Sequence, residues 1–137
     1  MAHERYLADM SVLNRLAKPG VGMAFRAVAS QVAVCGAVAF ELGFSARNTH
    51  EYHQTMDGLS GYGWAPTNDA NHARALELQR SLAARGHHRA ISLVDALVAA
   101  VAEARDLTIL HYDGDFELIA AVTGQAHQWI VPPGMAD

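Results

Sequence analysis

Four short apolar runs constrain this chain of 137 residues more than any other feature, because three of them lead into stretches with helical spacing. They are "RYLAD" (5–9), "QVAVC" (31–35), "LTILHY" (107–112) and "HQWIV" (127–131). Runs this short, bounded by turn and helix signals, read as strands inside a sheet. "MSVLNRLAKPG" reads as a helix that stops at Pro19-Gly20, and residues 21–30 as a second. Gly36 turns the chain into a helix from Ala37 to Arg47, and "NTHEYHQTMDGL" continues as another. Asn68 or Asp69 caps a long helix to Arg85, Ser92 opens one to Arg105, and "FELIAAVTG" forms the last. "SGYGWAPTND" (60–69) reads as a connecting loop. No strand signal precedes its glycines and no Gly-Lys-Ser/Thr follows, so it is not a phosphate cradle. Alternation of strands with helices predicts the α/β class: a three-layer α/β/α domain around a central, mainly parallel sheet, with the whole chain, 1–137, as one domain.

Composition excludes several functions. The formal charge of −4 argues against a protein that grips nucleic acid by bulk electrostatics alone. The charge-free apolar stretch Ala27–Phe40 is shorter than the ~20 residues of a membrane-spanning helix, and the first residues lack the basic-then-apolar pattern of a signal peptide. The single cysteine, Cys35, sits in an apolar run and reads as a buried, inert thiol, which suits a reduced, cytoplasmic setting.

The carboxylates carry the chemistry. Ligands of parallel α/β folds gather beyond the carboxyl ends of the strands. Asp9 ends the first strand, while Asp113 and Asp115 follow "LTILHY" in the stretch "LHYDGDFELIAA". Glu41 stands about a turn into the helix after the second strand, and Asp95 in the first turn of the helix leading to "LTILHY". Each has a modest explanation: Asp9 or Ser11 as a helix cap, "SLVD" as a capping box, Asp-Gly as a turn, Asp115 as a cap. Yet Asp95 is the only polar residue from Leu93 to Ala102, and "VCGAVAFELGF" holds no other charge than Glu41. A carboxylate in such a helix needs a cation, and an arginine or a metal ion supplies one. Five acids converging from separate elements point to hard, all-oxygen ligation of Mg²⁺ or Mn²⁺.

The eight histidines offer less. "HEYH" (50–53) is one residue short of the zinc motif HExxH and lacks a third ligand, so it reads as surface. Strand alternation puts His111 on the side of Asp113, where it packs in the core or touches the site.

Four stretches, "YLADMSVLNRL", "VAFELGFSAR", "SLVDALVAAVAEARDLTILHYDGDFELIAAVTG" and "QWIVPPG", resemble in order and spacing the PIN-domain toxins of bacterial VapBC toxin–antitoxin systems. The resemblance runs from Tyr6 to Gly134, and is greatest to the VapC proteins carrying a stretch like residues 86–116 here. Asp9, Glu41, Asp95 and Asp113 match that family's acidic quartet, Asp115 its additional acid, and Ser11 its small hydroxyl residue. Met10 stands where threonine or serine is commoner.

The resemblance implies a PIN-like fold and a Mg²⁺- or Mn²⁺-dependent endoribonuclease that cuts tRNA or rRNA and arrests translation. On this reading Asp9, Asp95 and Asp113 hold the main cation, and Glu41 and Asp115 serve a second cation or the nucleophilic water. Water as nucleophile leaves 5′-phosphate and 3′-hydroxyl ends. Arg15, Lys18, Arg47 and Arg89 are candidate phosphate contacts. The implied partners are a VapB-type antitoxin, a second copy in a homodimer, and the antitoxin in a heterotetramer or larger assembly, with operator DNA reached only through the antitoxin and no membrane. The rival is a catalytically silent PIN-like domain that binds a protein or RNA. A phosphatase of the haloacid dehalogenase type is excluded, since the first strand ends in Asp9-Met10-Ser11 rather than D-x-D and Lys18 is the only lysine.

Overall fold

The computed structural model describes residues 3–137, so the first two residues of the expected domain lie outside it. Five parallel strands form one sheet: β1 (Tyr6–Ala8), β2 (Val32–Cys35), β3 (Gly63–Ala65), β4 (Thr108–His111) and β5 (His127–Trp129), in the order β3-β2-β1-β4-β5. The chain builds outward from β1 to one edge and then crosses to build the other, which places a topological switch point between β1 and β4. Register there is Tyr6↔Thr108, Leu7↔Ile109 and Ala8↔Leu110.

Helices cover both faces. Helices α3 (Gly36–Ser45), α5 (Asp69–Ala83), α6 (Leu93–Arg105) and α7 (Asp115–Thr123) lie on one, burying Val38, Leu78, Val98 and Ile119 against Leu7 and Ile109. The short α1 (Met10–Leu13) and α2 (Pro19–Val28) lie on the other, burying Val12, Val21 and Phe25 against Ala8 and Leu110. Adjacent strand residues thus serve opposite cores, as the pleat requires. α4 (Thr49–Gly58) has no buried residue and rests on α3.

The structure departs from the sequence expectations at three places. The stretch 60–69 contains β3, an edge strand of three residues set among Gly61, Gly63 and Pro66, which read as loop. "LTILHY" therefore yields the fourth strand. Pro19-Gly20 does not end a helix but begins one: α1 finishes at Leu13, and Pro19 is the first residue of α2, where its missing N–H costs nothing. Finally, α3 is apolar without being enclosed, for Phe40 is 76 % and Phe44 85 % exposed, and Glu41 beside them is half-buried. By contrast α6 is buried continuously from Asp95 to Ala102.

Leu7, wholly buried in the central strand, bears on the first core from the middle of the sheet. Leu7→Ala is expected to cost about 2–5 kcal/mol in denaturant unfolding. Leu76→Ala, at a largely exposed position, is expected to stay within about 0.5 kcal/mol.

Candidate metal centre

β1 delivers Asp9. Its main-chain N–H donates to Leu110 O on β4 (2.9 Å), and its carboxylate accepts from Ser11 N (3.1 Å) and Ser11 Oγ (2.6 Å), capping α1. Ser11 Oγ in turn accepts the N–H of Tyr112 (2.8 Å), which ties the start of α1 to the end of β4. Asp9 is only 4 % exposed.

Beyond β4, the Asp113 carboxylate accepts the N–H of Asp115 (2.9 Å), closing the turn into α7, so Asp113 rather than Asp115 makes the turn-forming bond. Asp113 N–H donates to His111 Nδ1 (3.1 Å). That bond leaves the His111 proton on Nε2, which lies 2.8 Å from His127 Nδ1 on β5. The imidazole is fully buried, packed against Phe116 and Trp129, and burial lowers its pKa to about 4 with the neighbouring His127 adding to the effect. A neutral His111 therefore fixes the main chain of Asp113.

The capping box of α6 is formed: Ser92 Oγ accepts Asp95 N–H (3.1 Å), and Asp95 Oδ2 accepts Ser92 N–H (3.3 Å). Asp95 also faces the other acids. One carboxylate oxygen from each of Asp95, Asp113 and Asp115 lies within 4.8 Å of the others. No other metal-ligand cluster occurs among the described residues, and the exposed His50 and His53 belong to none.

Asp9 and Glu41 stand outside that trio but within electrostatic reach. Desolvation first, and then the charges of Asp9, Asp113 and Asp115, raise Asp95 to about 7 against the lowering effect of its bond from Ser92 N–H. Desolvation likewise raises Asp9, with Asp113 adding to it. It raises Asp115 too, with Asp113 again contributing. Glu41 is raised by desolvation and then by Asp9. All five sequence-selected acids thus lie at one end of the sheet, but the convergent oxygens belong to Asp95, Asp113 and Asp115 rather than to Asp9, Asp95 and Asp113. No arginine pairs with any of them: the ion pairs of the described residues are Arg47–Glu51, Arg74–Glu77 and Arg74–Glu103. Cys35 is fully buried with its pKa raised by desolvation, as an inert thiol should be.

Tyr112 and Asp137 escape sequence reading. Tyr112 is the residue before Asp113, and its hydroxyl binds the segment after β5. A tyrosine next to a strand gives no signal beyond packing.

The fold and this carboxylate group define a PIN domain, and the PIN domain family model matches residues 6–122. The chain belongs to the VapC branch of that family. It is 45 % identical to Ribonuclease VapC51 of Mycobacterium tuberculosis, over 97 % of this chain and 98 % of that protein. It is 35 % identical to Ribonuclease VapC18 of the same organism, over 94 % and 97 %. Among solved structures, the DNA-bound VapBC from Salmonella typhimurium superposes with a TM-score of 0.75 at 13 % identity, over 93 % of this chain and 99 % of that one. VapBC-5 from Mycobacterium tuberculosis gives 0.65 at 24 %, over 93 % and 98 %. These two show the fold.

The raised carboxyl pKa values set a pH dependence. The unfolded carboxyl of Asp95 titrates near its ordinary 3.8 and the folded one at about 7, so between them the native state binds more protons. Stability of the metal-free protein therefore falls as pH rises through about 7. Thermal unfolding in chelator is expected to show a lower Tm at about pH 8 than at about pH 5, and Asp95→Asn, which keeps the cap acceptor, to flatten that slope.

Proposed function

We propose that this protein is a VapC-type toxin: a divalent-cation-dependent endoribonuclease, one PIN domain spanning 1–137, that hydrolyses tRNA or rRNA to arrest growth and is silenced by a VapB-type antitoxin. The observation that carries this reading is the convergence of Asp95, Asp113 and Asp115 beside buried Asp9 at the ends of β1 and β4. The names of the ribonuclease relatives support the substrate class. The VapBC complexes among the structural neighbours support the antitoxin partner.

The donor set fits a hard cation. Three carboxylate oxygens within 4.8 Å of one another, desolvated and mutually repelling, gain from a Mg²⁺ or Mn²⁺ ion what no protein cation supplies. Asp95, Asp113 and Asp115 would hold it, with Asp9 and Glu41 available to a second ion. Such ions neutralise charge on the phosphoryl oxygens and make a neighbouring water more acidic.

The chain's own residues do the rest. Ser11 fixes the Asp9 carboxylate, and His111 fixes the main chain of Asp113, so the acids are positioned before substrate arrives. Glu41, half-buried and outside the convergent trio, is the acid we assign to accept the proton of the attacking water. Water attacks phosphorus as its proton passes to Glu41, the bond to the 3′ oxygen breaks, and that oxygen takes a proton from solvent, giving 5′-phosphate and 3′-hydroxyl ends.

Among the described residues no helix is long and apolar enough to cross a membrane, which accords with a cytoplasmic toxin. The antitoxin would complete the assembly as a heterotetramer or larger around a homodimer, and would carry the contact with operator DNA.

Purified, antitoxin-free protein should cut total RNA only with Mg²⁺ or Mn²⁺. Asp9→Asn and Asp113→Asn should each lose at least about 100-fold in rate, the scale of removing one preorganised electrostatic contact. Mg²⁺ should also raise Tm at about pH 8 in the wild type and less in Asp113→Asn. Cleavage that survives chelator sinks the metal-dependent mechanism. Metal binding without cleavage of any RNA favours the silent binding domain.

A further inference from the structure

The segment after β5 does not trail into solvent. It turns back across α1, burying Ala136 in the second core beside Val12 and Tyr112. The Tyr112 hydroxyl accepts the N–H groups of Gly134 (2.8 Å) and Ala136 (2.9 Å) and donates to Asp137 Oδ1 (2.7 Å). Lys18 Nζ donates to the main-chain oxygen of Asp137. Arg15 donates through Nε to Ala136 O (3.1 Å) and through Nη1 to Ser11 O (2.9 Å) and Asn14 Oδ1 (3.1 Å). Its guanidinium lies 4.9 Å from the centre of the Tyr112 ring.

This arrangement frames a cleft of about 430 Å³ lined by Ser11, Arg15, Tyr112, Asp113, Trp129 and Asp137. The charge of Arg15 is not neutralised in it. All three acceptors are neutral, Arg15 is in none of the ion pairs of the described residues, and its Nη2 edge donates to none of them. A half-buried guanidinium with an open edge and a phenolic hydroxyl that holds one carboxylate, with an ammonium close by on the main chain of Asp137, make a donor set for an oxyanion with two free oxygens. The cleft is also continuous with the metal centre. Asp113 belongs to both, and Ser11, on its rim, donates to Asp9. An anion seated here lies next to the carboxylates, as neighbouring phosphates lie along one strand.

We propose that this cleft seats the RNA backbone phosphate adjacent to the one cleaved, held by Arg15 and the Tyr112 hydroxyl, and that the Asp137 carboxylate occupies that hydroxyl until RNA displaces it. The proposal rests on the ribonuclease reading above. Arg47, paired with Glu51, has no part in it.

The test measures binding of a single-stranded RNA oligonucleotide by fluorescence anisotropy in chelator, across a salt series, together with cleavage kinetics in Mg²⁺. Arg15→Gln is expected to raise Kd and KM about tenfold, to leave kcat nearly unchanged, and to reduce the slope of log Kd against log salt by about 0.7, one single-strand phosphate contact. Arg15→Lys should restore the slope but only part of the affinity, since it keeps the charge and loses the fork. Asp137→Asn should tighten binding, and Arg80→Gln, at an exposed position of α5, should change neither Kd nor KM. An Arg15→Gln protein with wild-type Kd and slope overturns the seat. So does an Asp137→Asn protein that binds RNA more weakly, which would make the residue a mere fastening of the segment. Loss of antitoxin affinity in Arg15→Gln with RNA binding intact overturns it in favour of an acidic protein segment. Wild-type protein that neither binds nor cuts RNA fails the ribonuclease reading itself, visibly and before any variant is made.

Discussion

The pairing of β1 with β4 is the constraint on which the rest depends. It joins residues about a hundred positions apart, Tyr6 to Thr108 and Ala8 to Leu110, at the centre of a sheet whose order reverses there. Closing so long a loop is entropically costly, and the cost is met by burying Leu7, Ile109 and Leu110 completely. Once the register is set, Asp9 and Asp113 must emerge side by side. The bonds Asp9 N–H to Leu110 O and Tyr112 N–H to Ser11 Oγ continue the same register past the last ladder pair.

The site opposes the fold that makes it. Asp95 sits in the most deeply buried helix, and Asp9 is nearly inaccessible, so ionising them is disfavoured first by desolvation and then by each other. The caps moderate this locally. Asp9 caps α1 and Asp95 closes the box of α6, so each receives main-chain donors that favour its charged form. Structural and functional roles coincide here, because a helix N-terminus is both where an acid is tolerated and where a parallel α/β fold opens its crevice.

Cations are distributed asymmetrically around this acidic end. Arg47 and Arg74 are engaged with glutamates at the surface, whereas Arg15 is wedged between α1, Tyr112 and the segment after β5 with only neutral acceptors. An acidic protein that handles a polyanion needs positive charge near its reacting carboxylates but not bonded to them. The aromatic face of Tyr112 and the main-chain carbonyls hold the Arg15 guanidinium in that condition.

Much of the architecture was legible in the chain itself. The apolar runs of β1, β2, β4 and β5, the Ser92 box and the five acids all stand in local patterns, since apolar runs, capping and charge within apolar helices are properties of neighbouring residues. The edge strand β3 was not legible, because Gly61, Gly63 and Pro66 give its stretch the composition of a loop and only pairing of Ala33–Cys35 with Gly63–Ala65 makes it a strand. Nor was the open face of α3, for an apolar helix looks buried until its neighbours are known to leave Phe40 and Phe44 uncovered. The sequence by itself determined which acids stand at strand and helix ends. Only the tertiary structure decided which three bring their oxygens together, and that Tyr112, Arg15 and Asp137 share a cleft beside them, because those distances arise from long-range strand pairing and the return of the segment after β5, which no local pattern encodes.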